Sequence, residues 1–429
     1  MRQVQPINLT HPFNLVKGKK MKELLNAVKL TEKVYWVGAV DWEIKSFHGY
    51  STERGTTYNA YLVIDKKITL IDTVKAPFRD ELLARISSVI DPEQIDYIVS
   101  NHAEMDHSGC LPEMIKIVKP ERVFASSMGE KALKAHFGND LQIEAVKTGD
   151  SICLGDNTLS FVETRMIHWP DSMFSYLSGE KILFSQDGFG MHLAGLERFS
   201  DEYPDYVIEW EAAKYYANIL MLYASKILAA IEALPGFNFD IKIIAPDHGP
   251  CWRKNPGWII EQYRKWSVQK PEKRAIIVYD TMWESTATMA KAIADGISSA
   301  GVEVELISLK ARERSYIATM ALKSGALVIG SSTLNNQLLP AIADILTYLK
   351  GLRPLNKTGF AFGSYGWSGE SVKLINEYLT ATDVELTCEG VRAKYVPDQA
   401  ALHECFNAGA ALGRRLIEKI EAGDKPAEK

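Results

Sequence analysis

The pattern of apolar runs changes once along this chain, and that change constrains the fold more than any other feature. Up to residue 266 strands and helices follow in mixed order, whereas after residue 274 they alternate regularly. The segment between them, WSVQKPEKR, is polar and contains Pro271, as domain linkers often do. A chain of 429 residues is also too long for one ordinary core. We therefore predict domains at residues 31–268 and 269–420, an N-terminal extension at 1–30 and a tail at 421–429.

The first domain begins with strands and then mixes strands with helices. Three apolar runs within residues 31–75, KVYWVGAV, YNAYLVID and KITLIDTV, are separated by turn-rich segments and indicate antiparallel strands. Further strands up to IKIIAP are interleaved with expected helices near 78–90, 109–118, 129–137 and 205–234. Sheet-rich stretches with interleaved helices predict a helix–sheet–sheet–helix (αββα) sandwich of the α+β class.

The second domain alternates strand and helix from its start. The apolar runs AIIVYD, VEVELISL, ALVIGSS and TGFAFGS, and a last strand near VELTC, are the expected strands. Helices are expected at 286–299, 340–349 and 369–381. This alternation is typical of the α/β class and predicts a doubly wound parallel sheet of about five strands.

Charge and hydropathy exclude several classes of partner. The net charge is −5 and the pI is about 6.1, and no long basic run is present, so nothing indicates nucleic acid or an anionic membrane. The apolar stretch at 218–234 contains Lys226 and Glu232 and is too short to cross a bilayer. The N-terminus lacks the apolar core of a secretory signal. We therefore expect a cytoplasmic protein with no nucleic-acid and no membrane partner.

The five cysteines are scattered and form no C-x-x-C motif. This spacing argues against a disulfide framework, a zinc ribbon and a cysteine-ligated iron–sulfur centre. The absence of cysteine pairs limits the ways in which electrons could reach the protein.

A loop rich in ligand-type residues follows the apolar run IDYIVS. It reads NHAEMDHSG, and His102, Glu104 and Asp106 share one parity, so they can converge if the chain stays extended, while His107 turns to a neighbouring point. Taken alone, this segment is also compatible with a solvated polar loop.

Three later residues of the same chemical kind also follow apolar strands. His168 follows TLSFVET, Asp187 follows KILFS and His248 follows IKIIA. With the loop above, they make four imidazoles and three carboxylates, too many for one ion and suited to two ions that share a bridging carboxylate. Asp171 and Asp247 lie beside these residues and are as well suited to orienting neighbours as to binding metal.

Three loops in the second half follow strands on what should be one edge of the parallel sheet. They are TMWEST within 281–286, SSTLNNQ at 331–337 and GSYGWSGE at 363–370. Hydroxyls at a helix N-terminus favour a phosphate, although simple N-capping is an alternative. Neither G-x-G-x-x-G nor G-x-x-x-x-G-K-[ST] occurs. The candidate cofactor-binding residues are Thr281, Met282, Trp283, Glu284, Ser285, Thr286, Thr333, Leu334, Asn335, Asn336, Ser364, Tyr365, Gly366, Trp367, Ser368 and Gly369.

The H-x-E-x-D-H motif with the later His, Asp and His resembles the metallo-β-lactamase-like domain of flavodiiron proteins, and the T-x-W-x-S-T loop resembles flavodoxin. The resemblance implies that His102, Glu104 and His168 hold one iron, that Asp106, His107 and His248 hold the other, and that Asp187 bridges them. Dizinc hydrolases of this fold typically show H-x-H-x-D-H. A carboxylate at position 104 favours iron and its oxidised state.

The resemblance also implies an activity and partners. Flavodiiron proteins reduce O2 to water, NO to N2O, or both, with FMN supplying electrons to the diiron site. The implied partners are a separate donor such as rubredoxin, or coenzyme F420 in methanogens, and a second copy in a head-to-tail homodimer or a dimer of dimers. The alternatives are a dizinc metallo-β-lactamase-fold hydrolase with an electron-transfer flavodoxin domain, and a flavodoxin-like carrier whose first domain is only a scaffold.

Overall fold

The computed structural model describes residues 25–424. Most of the predicted N-terminal extension at 1–30 and part of the predicted tail at 421–429 lie outside the described residues. The last helix of the described chain continues to Asp424.

The described chain contains 22 strands, many of them short. The strands are β1 Val28–Lys29, β2 Val34–Trp36, β3 Ala39–Asp41, β4 Ser46–Phe47, β5 Tyr50–Ser51, β6 Thr56–Tyr58, β7 Tyr61–Val63, β8 Thr69–Ile71, β9 Tyr97–Ser100, β10 Arg122–Ser126, β11 Glu144–Val146, β12 Ser151–Cys153, β13 Thr158–Glu163, β14 Met173–Leu177, β15 Ile182–Gln186, β16 Ile243–Pro246, β17 Arg274–Asp280, β18 Glu303–Ser308, β19 Ala326–Ser331, β20 Thr358–Tyr365, β21 Glu385–Leu386 and β22 Val391–Lys394. The α-helices are α1 Arg79–Ser87, α2 Met105–Ser108, α3 Leu111–Val118, α4 Ser127–Phe137, α5 Asp205–Tyr215, α6 Ala224–Ala233, α7 Pro256–Val268, α8 Ser285–Ser299, α9 Arg314–Leu322, α10 Pro340–Leu352, α11 Glu370–Thr380 and α12 Gln399–Asp424.

The chain divides into two compact units. Of the described residues, unit 1 comprises 25–43, Arg54–Tyr203 and Phe237–Pro256, and unit 2 comprises Ile44–Glu53, Pro204–Gly236 and 257–424. The β4–β5 hairpin and helices α5 and α6 therefore pack with the later part of the chain. The division between residues 268 and 269 remains our proposal for the sequence boundary.

Unit 1 is built on two sheets. The seven-stranded sheet has the order β1-β2-β7-β8-β9-β10-β11, and the five-stranded sheet runs β12-β13-β14-β15-β16. Buried side chains of both sheets, including Trp36, Phe124, Phe161 and Phe184, form one core between them. The strands predicted within residues 31–75 pair antiparallel, as expected. These facing sheets confirm the predicted sandwich.

Helices of unit 1 cover the other face of the seven-stranded sheet. Leu82 of α1, Leu111 of α3 and Leu133 of α4 pack in one cluster with the sheet residues Leu62 and Ile98. Strands β8, β9 and β10 are parallel neighbours in this sheet, and their side chains are buried almost throughout, as for strands covered on both faces. The carboxyl end of β9 thus projects from a rigid, fully packed layer.

Unit 2 is built on one parallel sheet. Its order is β18-β17-β19-β20-β21, and β22 also pairs with β20, so β21 and β22 together form one edge. In chain order this is 2-1-3-4-5, the arrangement that leaves a ligand crevice at the carboxyl ends of the strands. The predicted doubly wound sheet is therefore confirmed.

Some sequence predictions of local structure were wrong or incomplete. The helix expected at 109–118 is α3 and begins at Leu111, whereas the separate short helix α2 at Met105–Ser108, inside the ligand-rich loop, was not predicted. Helices α7, α9 and α12 were not predicted. Helix α9 is buried over most of its length, so it lacks the polar face that gives a helix its periodic pattern.

The expected long helix near 205–234 is helical but irregular. A π-helical turn at Tyr216–Leu220 and a 3₁₀ turn at Met221–Tyr223 separate α5 from α6. The whole stretch Asp205–Phe237 is long and apolar enough to cross a membrane, and 39% of its most apolar window is buried inside the protein. Buried core helices pass the same criteria of length and composition, so this stretch is weak evidence for a membrane span.

The carboxylate of Asp65 fixes a turn of unit 1. It accepts hydrogen bonds from the backbone N–H groups of Lys66, Asp156 and Asn157 and from the Asn157 amide, at 2.8–3.0 Å. Its side chain is 1% exposed. Burial opposes the charge, but these donors outweigh that effect and lower the pKa of Asp65 to about 2.

We expect Asp65→Asn to destabilise unit 1 by about 2 kcal/mol at pH 7. Because the pKa of Asp65 is lower in the folded chain, this contribution is complete above pH ~4 and disappears as the pH falls through ~2. Urea unfolding at pH 7 and pH 3 should show the difference between the variant and the unaltered protein shrinking at the lower pH. Asp240→Asn, at an exposed ion pair with Lys181, should change little at either pH. An equal loss at both values of pH would contradict the role of the charge.

Candidate metal centre and ligand cavity

The topology of unit 1 brings the ligand-type residues to one end of its sheets. Strands β15 and β16 are parallel neighbours, so Asp187 and His248 follow them at the same edge. Strand β13 is antiparallel to β14, which is antiparallel to β15, so the loop with His168 leaves β13 at that edge too. His102, Glu104, Asp106 and His107 follow β9 of the facing sheet.

The ligand-rich loop changes conformation in its middle. The backbone is extended at Glu104, with φ −61° and ψ 145°, and then forms the helical turn α2. The expectation that Asp106 shares the direction of His102 and Glu104 was therefore wrong. The turn directs Asp106 and His107 to a second position, and Ser108 fixes it by donating to the carbonyls of Ala103 and Glu104 at 2.7 and 2.9 Å.

The first group of candidate ligands, called cluster 1, contains His102, Glu104, His168 and Asp187. The Oε2 atom of Glu104 lies 3.3 Å from Nε2 of His102 and 3.1 Å from Nε2 of His168. The Oδ2 atom of Asp187 lies 3.2 and 3.1 Å from the same two nitrogens.

The second group, cluster 2, contains Asp106, His107 and His248. Asp106 lies 3.3 Å from Nε2 of His107 through Oδ1 and 3.2 Å from Nε2 of His248 through Oδ2. The Oδ1 atom of Asp187 lies 3.3 and 3.5 Å from these two nitrogens. Asp187 thus directs one oxygen to each cluster, as a carboxylate that bridges two ions must.

The donor atoms fit metal ions. Metal–ligand bonds of about 2.0–2.2 Å place neighbouring donors roughly 3 Å apart, close to the separations in both clusters. Both carboxylate oxygens of Asp106 and the Nε2 atom of His107 are buried without a hydrogen-bond partner among the residues that the structure describes. Buried polar atoms of this kind need a partner, and a cation satisfies carboxylate oxygen and imidazole nitrogen together.

The electrostatics of both clusters favour positive charge. Burial opposes protonation of the imidazoles, but Asp106, Asp187 and Asp247 outweigh it at His107 and raise its pKa to about 10. At His168 the carboxylates of Asp187 and Glu104 overcome burial and raise the pKa to about 9. Burial of Glu104 is likewise outweighed, by His102 and His168, which lower its pKa. Without a metal the site therefore takes up protons, and binding a cation releases them.

Groups behind the imidazoles fix their orientation. The Nδ1 atom of His102 lies 2.9 Å from Oδ2 of Asp171, and Nδ1 of His248 lies 2.6 Å from the carbonyl oxygen of Thr57. The carboxylate of Asp247 lies 3.5 Å from Nδ1 of His107. Asp171 and Asp247, for which the sequence left both roles open, face the imidazoles from behind and belong to neither cluster.

Asn59 holds the loop that carries His248, and no sequence motif identified this residue. Its backbone N–H donates to the carbonyl of Asp247 at 2.7 Å, and its amide donates to the carbonyls of Pro246 and Gly249 at 2.6 and 2.8 Å. Its Oδ1 atom accepts from Nε1 of Trp36 at 2.8 Å. One fully buried amide thus binds the residues on both sides of His248.

Unit 2 has a cavity at the carboxyl ends of its strands. Its volume is about 460 Å³, within the range of small-molecule sites. The lining residues are Met282, Trp283, Ser285, Ser332, Thr333, Leu334, Asn335, Asn336, Ser364, Tyr365, Gly366, Trp367, Ser368, Tyr395 and Val396. Most of the predicted cofactor-binding residues lie here, whereas Thr281, Glu284, Thr286 and Gly369 do not line the cavity.

Thr286 instead organises two of the lining residues. Its hydroxyl is fully buried and lies 3.0 Å from the hydroxyl of Ser332 and 2.9 Å from that of Ser364. The two serines are also 3.3 Å apart. This hydroxyl triangle adjoins the N-terminus of α8, where Ser285 reaches the cavity, so it lies where an anion would be bound.

Three lining residues were not among the predicted ones. Ser332 lies in the SSTLNNQ segment, one residue before the set that we selected. Tyr395 and Val396 follow β22, a strand that the sequence pattern did not reveal. Both are exposed, at 63% and 78%, so nothing in their burial marks them as part of a site.

Comparison with known families matches both units. A family model described as "ODP family beta lactamase" matches residues 56–249, and the flavodoxin model matches residues 277–409. The nitric oxide reductase of Moorella thermoacetica is 44% identical over 395 residues, which are 91% of this chain and 99% of the relative.

Solved structures with the same architecture cover nearly the whole chain. The rubredoxin oxygen:oxidoreductase from the anaerobe Desulfovibrio gigas is similar with a TM-score of 0.91 and 44% identity, over 92% of this chain and 100% of that one. The flavodiiron protein from Giardia intestinalis is similar with a TM-score of 0.89 and 35% identity, over 93% and 99%.

We expect Asn59→Ala to weaken metal binding in cluster 2 about tenfold or more, because the carbonyl of Gly249 and the indole N–H of Trp36 lose a buried partner. Metal content after dialysis should fall from two ions per chain toward one. Tyr61→Phe removes another donor to the carbonyl of Pro246 and a 3.6 Å contact with Sγ of Cys251, and it serves as the matched control. Two tightly held ions in Asn59→Ala would show that the loop keeps its position without the amide.

Proposed function

This chain belongs to the flavodiiron protein family, and on that premise we propose that it reduces O2 to water, NO to N2O, or both, at a diiron site supplied by FMN. Membership confirms the resemblance found in the sequence, and relatives named as nitric oxide reductase and rubredoxin oxygen:oxidoreductase favour oxidoreductase activity over the hydrolase alternative. The relatives' names fit both gases, so we propose both as substrates.

The observation that carries the proposal is the division of Asp187 between the clusters. Its two oxygens, at 3.1–3.5 Å from four imidazole nitrogens, suit two ions at neighbouring positions. We propose His102, Glu104, His168 and Asp187 as ligands of one iron and Asp106, His107, His248 and Asp187 as ligands of the other. Glu104 makes the donor set of cluster 1 richer in hard oxygen, which suits iron.

When bound, the iron pair and reduced FMN together supply the four electrons that convert O2 to two waters, or the two that convert two NO to N2O and water. The protein's part is to place the donors and exclude water. The seven proposed ligands are buried or nearly so, and Glu104 and His168, with side chains 13% and 15% exposed, are the most accessible of those in cluster 1.

We propose the cavity of unit 2 as the FMN site. The hydroxyls of Ser285, Ser332 and Ser364 and the N-terminus of α8 suit a phosphate. Met282, Trp283, Tyr365 and Trp367 supply apolar and aromatic surface for a flat ring system. The loops suit a single phosphate group, and the G-x-G-x-x-G fingerprint of dinucleotide-binding sites does not occur. Both features favour FMN over a dinucleotide.

We further propose a separate electron donor, a homodimer and a cytoplasmic location. A donor such as rubredoxin fits the name of the Desulfovibrio gigas relative, and coenzyme F420 remains the alternative for a methanogen. Trp283 and Trp367 at the cavity are 86% and 85% exposed, and Met105 beside the proposed ligands is 45% exposed. Exposed apolar residues at each site are suited to contact with a partner protein. A second copy of this chain, arranged head to tail, would be such a partner.

The activity is tested by reducing the purified protein anaerobically and adding each gas in turn. We expect rapid flavin reoxidation, with water formed from O2 and N2O from NO. Asp187→Asn should abolish N2O formation. Without the iron pair, the reduced flavin should convert O2 only to peroxide. The amount of bound flavin should stay at the level of the unaltered protein.

Asp240→Asn, a surface variant of the same kind, should behave as the unaltered protein does. Two zinc ions per chain together with hydrolysis of a thioester or lactam would support the hydrolase alternative. Normal gas reduction by Asp187→Asn would instead support a site elsewhere in the chain.

The FMN site is tested by Thr286→Val. Loss of the hydroxyl removes a hydrogen bond from Ser332 and from Ser364, so their hydroxyls should no longer be held toward the phosphate. FMN binding should weaken roughly tenfold, because hydrogen bonds to a charged phosphate are worth about 1.5–3 kcal/mol. Riboflavin, which lacks the phosphate, should bind as before, and flavin fluorescence measures both affinities. Thr286→Ser should retain FMN affinity, and metal content should stay normal. Equal weakening of both flavins would mean that Thr286 only supports the fold.

A further inference from the structure

The imidazoles of the two clusters have unequal support on the side away from the proposed metals. His102 of cluster 1 has the carboxylate of Asp171 at 2.9 Å from Nδ1. In cluster 2, Nδ1 of His248 faces a neutral backbone carbonyl at 2.6 Å, and Nδ1 of His107 faces Asp247 at 3.5 Å, beyond the usual length of a hydrogen bond. The strongest charged hydrogen bond behind an imidazole thus lies in cluster 1.

Asp171 is held in place from two sides. Its Oδ2 atom also accepts the backbone N–H of Ala103 at 2.6 Å, between His102 and Glu104. Its own carbonyl accepts from the hydroxyl of Ser126 at 2.6 Å. The carboxyl side chain is 3% exposed. The position of this carboxylate is therefore set by the same loop that supplies the ligands of cluster 1.

The hydrogen bonds also settle which nitrogen of His102 carries a proton. Oδ2 of Asp171 is an acceptor, so Nδ1 of His102 donates, and the lone pair of Nε2 becomes available to a metal ion when binding of the ion releases the proton there. That Nε2 atom is the one that lies 3.2 Å from Asp187 and 3.3 Å from Glu104. A carboxylate behind a ligating imidazole raises the basicity of its metal-binding nitrogen and stabilises the more highly charged metal ion.

We propose that Asp171 is a positioning residue that acts through His102, fixing its Nε2 atom toward cluster 1 and making the iron of cluster 1 the harder of the two to reduce. This inference rests on the proposed diiron function. It assigns the first one-electron reduction to the iron of cluster 2, so the half-reduced pair holds its ferric ion in cluster 1.

Charge and position are separated by two variants of Asp171. In Asp171→Asn the amide oxygen can still accept from His102 and Ala103, so the imidazole keeps its place while the negative charge is lost. We expect two irons per chain and a higher midpoint potential for one of the two iron reductions, seen in an anaerobic redox titration followed by electron paramagnetic resonance. In Asp171→Ala, which loses the position as well, iron should be lost to a competing chelator about 10–100-fold more readily.

Ser126→Ala is the matched structural control. It removes the hydrogen bond to the carbonyl of Asp171 and the cap of α4, where the Ser126 hydroxyl accepts from Gly129 at 2.9 Å, but it leaves the carboxylate of Asp171 intact. We expect a lower melting temperature, with both iron potentials unchanged.

Two results would overturn the proposal. One is unchanged iron potentials in Asp171→Asn, and the other is an equal shift in Ser126→Ala, which would reduce Asp171 to a structural role. Metal analysis of the unaltered protein distinguishes failure of the proposal for Asp171 from failure of the proposed diiron function. A chain purified with zinc would overturn the diiron function and the assignment of potentials, whereas the chelator comparison of Asp171→Ala would still decide whether Asp171 positions His102.

Discussion

The buried carboxylate of Asp187 between four imidazoles is the interaction on which the rest of unit 1 depends. Three carboxylates and four imidazoles within a few ångströms are costly to bury unless cations compensate them. Only a scaffold that cannot relax keeps such groups together, because otherwise they would move apart toward water. The two sheets provide it, since β9, β13, β15 and β16 end at the site and share one packed core.

The cavity of unit 2 depends on weaker interactions than the clusters of unit 1. Its cavity is formed by loops at the ends of a parallel sheet and is lined by hydroxyls, amides and aromatic rings. Neutral hydrogen bonds among Thr286, Ser332 and Ser364 organise the hydroxyls without burying a charge. A cofactor bound here as a whole molecule can be held by many modest contacts, whereas metal ions in unit 1 need a few strong ones. The two units therefore differ in the rigidity that their sites require.

The sequence revealed the residues that carry distinctive chemistry, and it missed those that act by geometry. Histidines and carboxylates after apolar strands identified all members of both clusters, because such residues seldom follow buried strands without a reason. The turn at Met105–Ser108 was not foreseen, since a single helical turn has no periodicity. Asn59, Tyr395 and Val396 belong to no motif, and their roles come from contacts distant in sequence. The role of Asp171, left open by the sequence, needed the distance to His102.

Glu104 gives the two clusters the same kinds of donor atoms. With it, each cluster has two imidazoles, one carboxylate of its own and one oxygen of Asp187. An imidazole at position 104 would make cluster 1 richer in nitrogen and softer than cluster 2, and the two positions would then prefer different ions. Because Glu104 makes the donor sets equal in kind, two like ions fit. The groups behind the imidazoles then distinguish the two positions, because Asp171, Asp247 and the carbonyl of Thr57 differ in charge and distance.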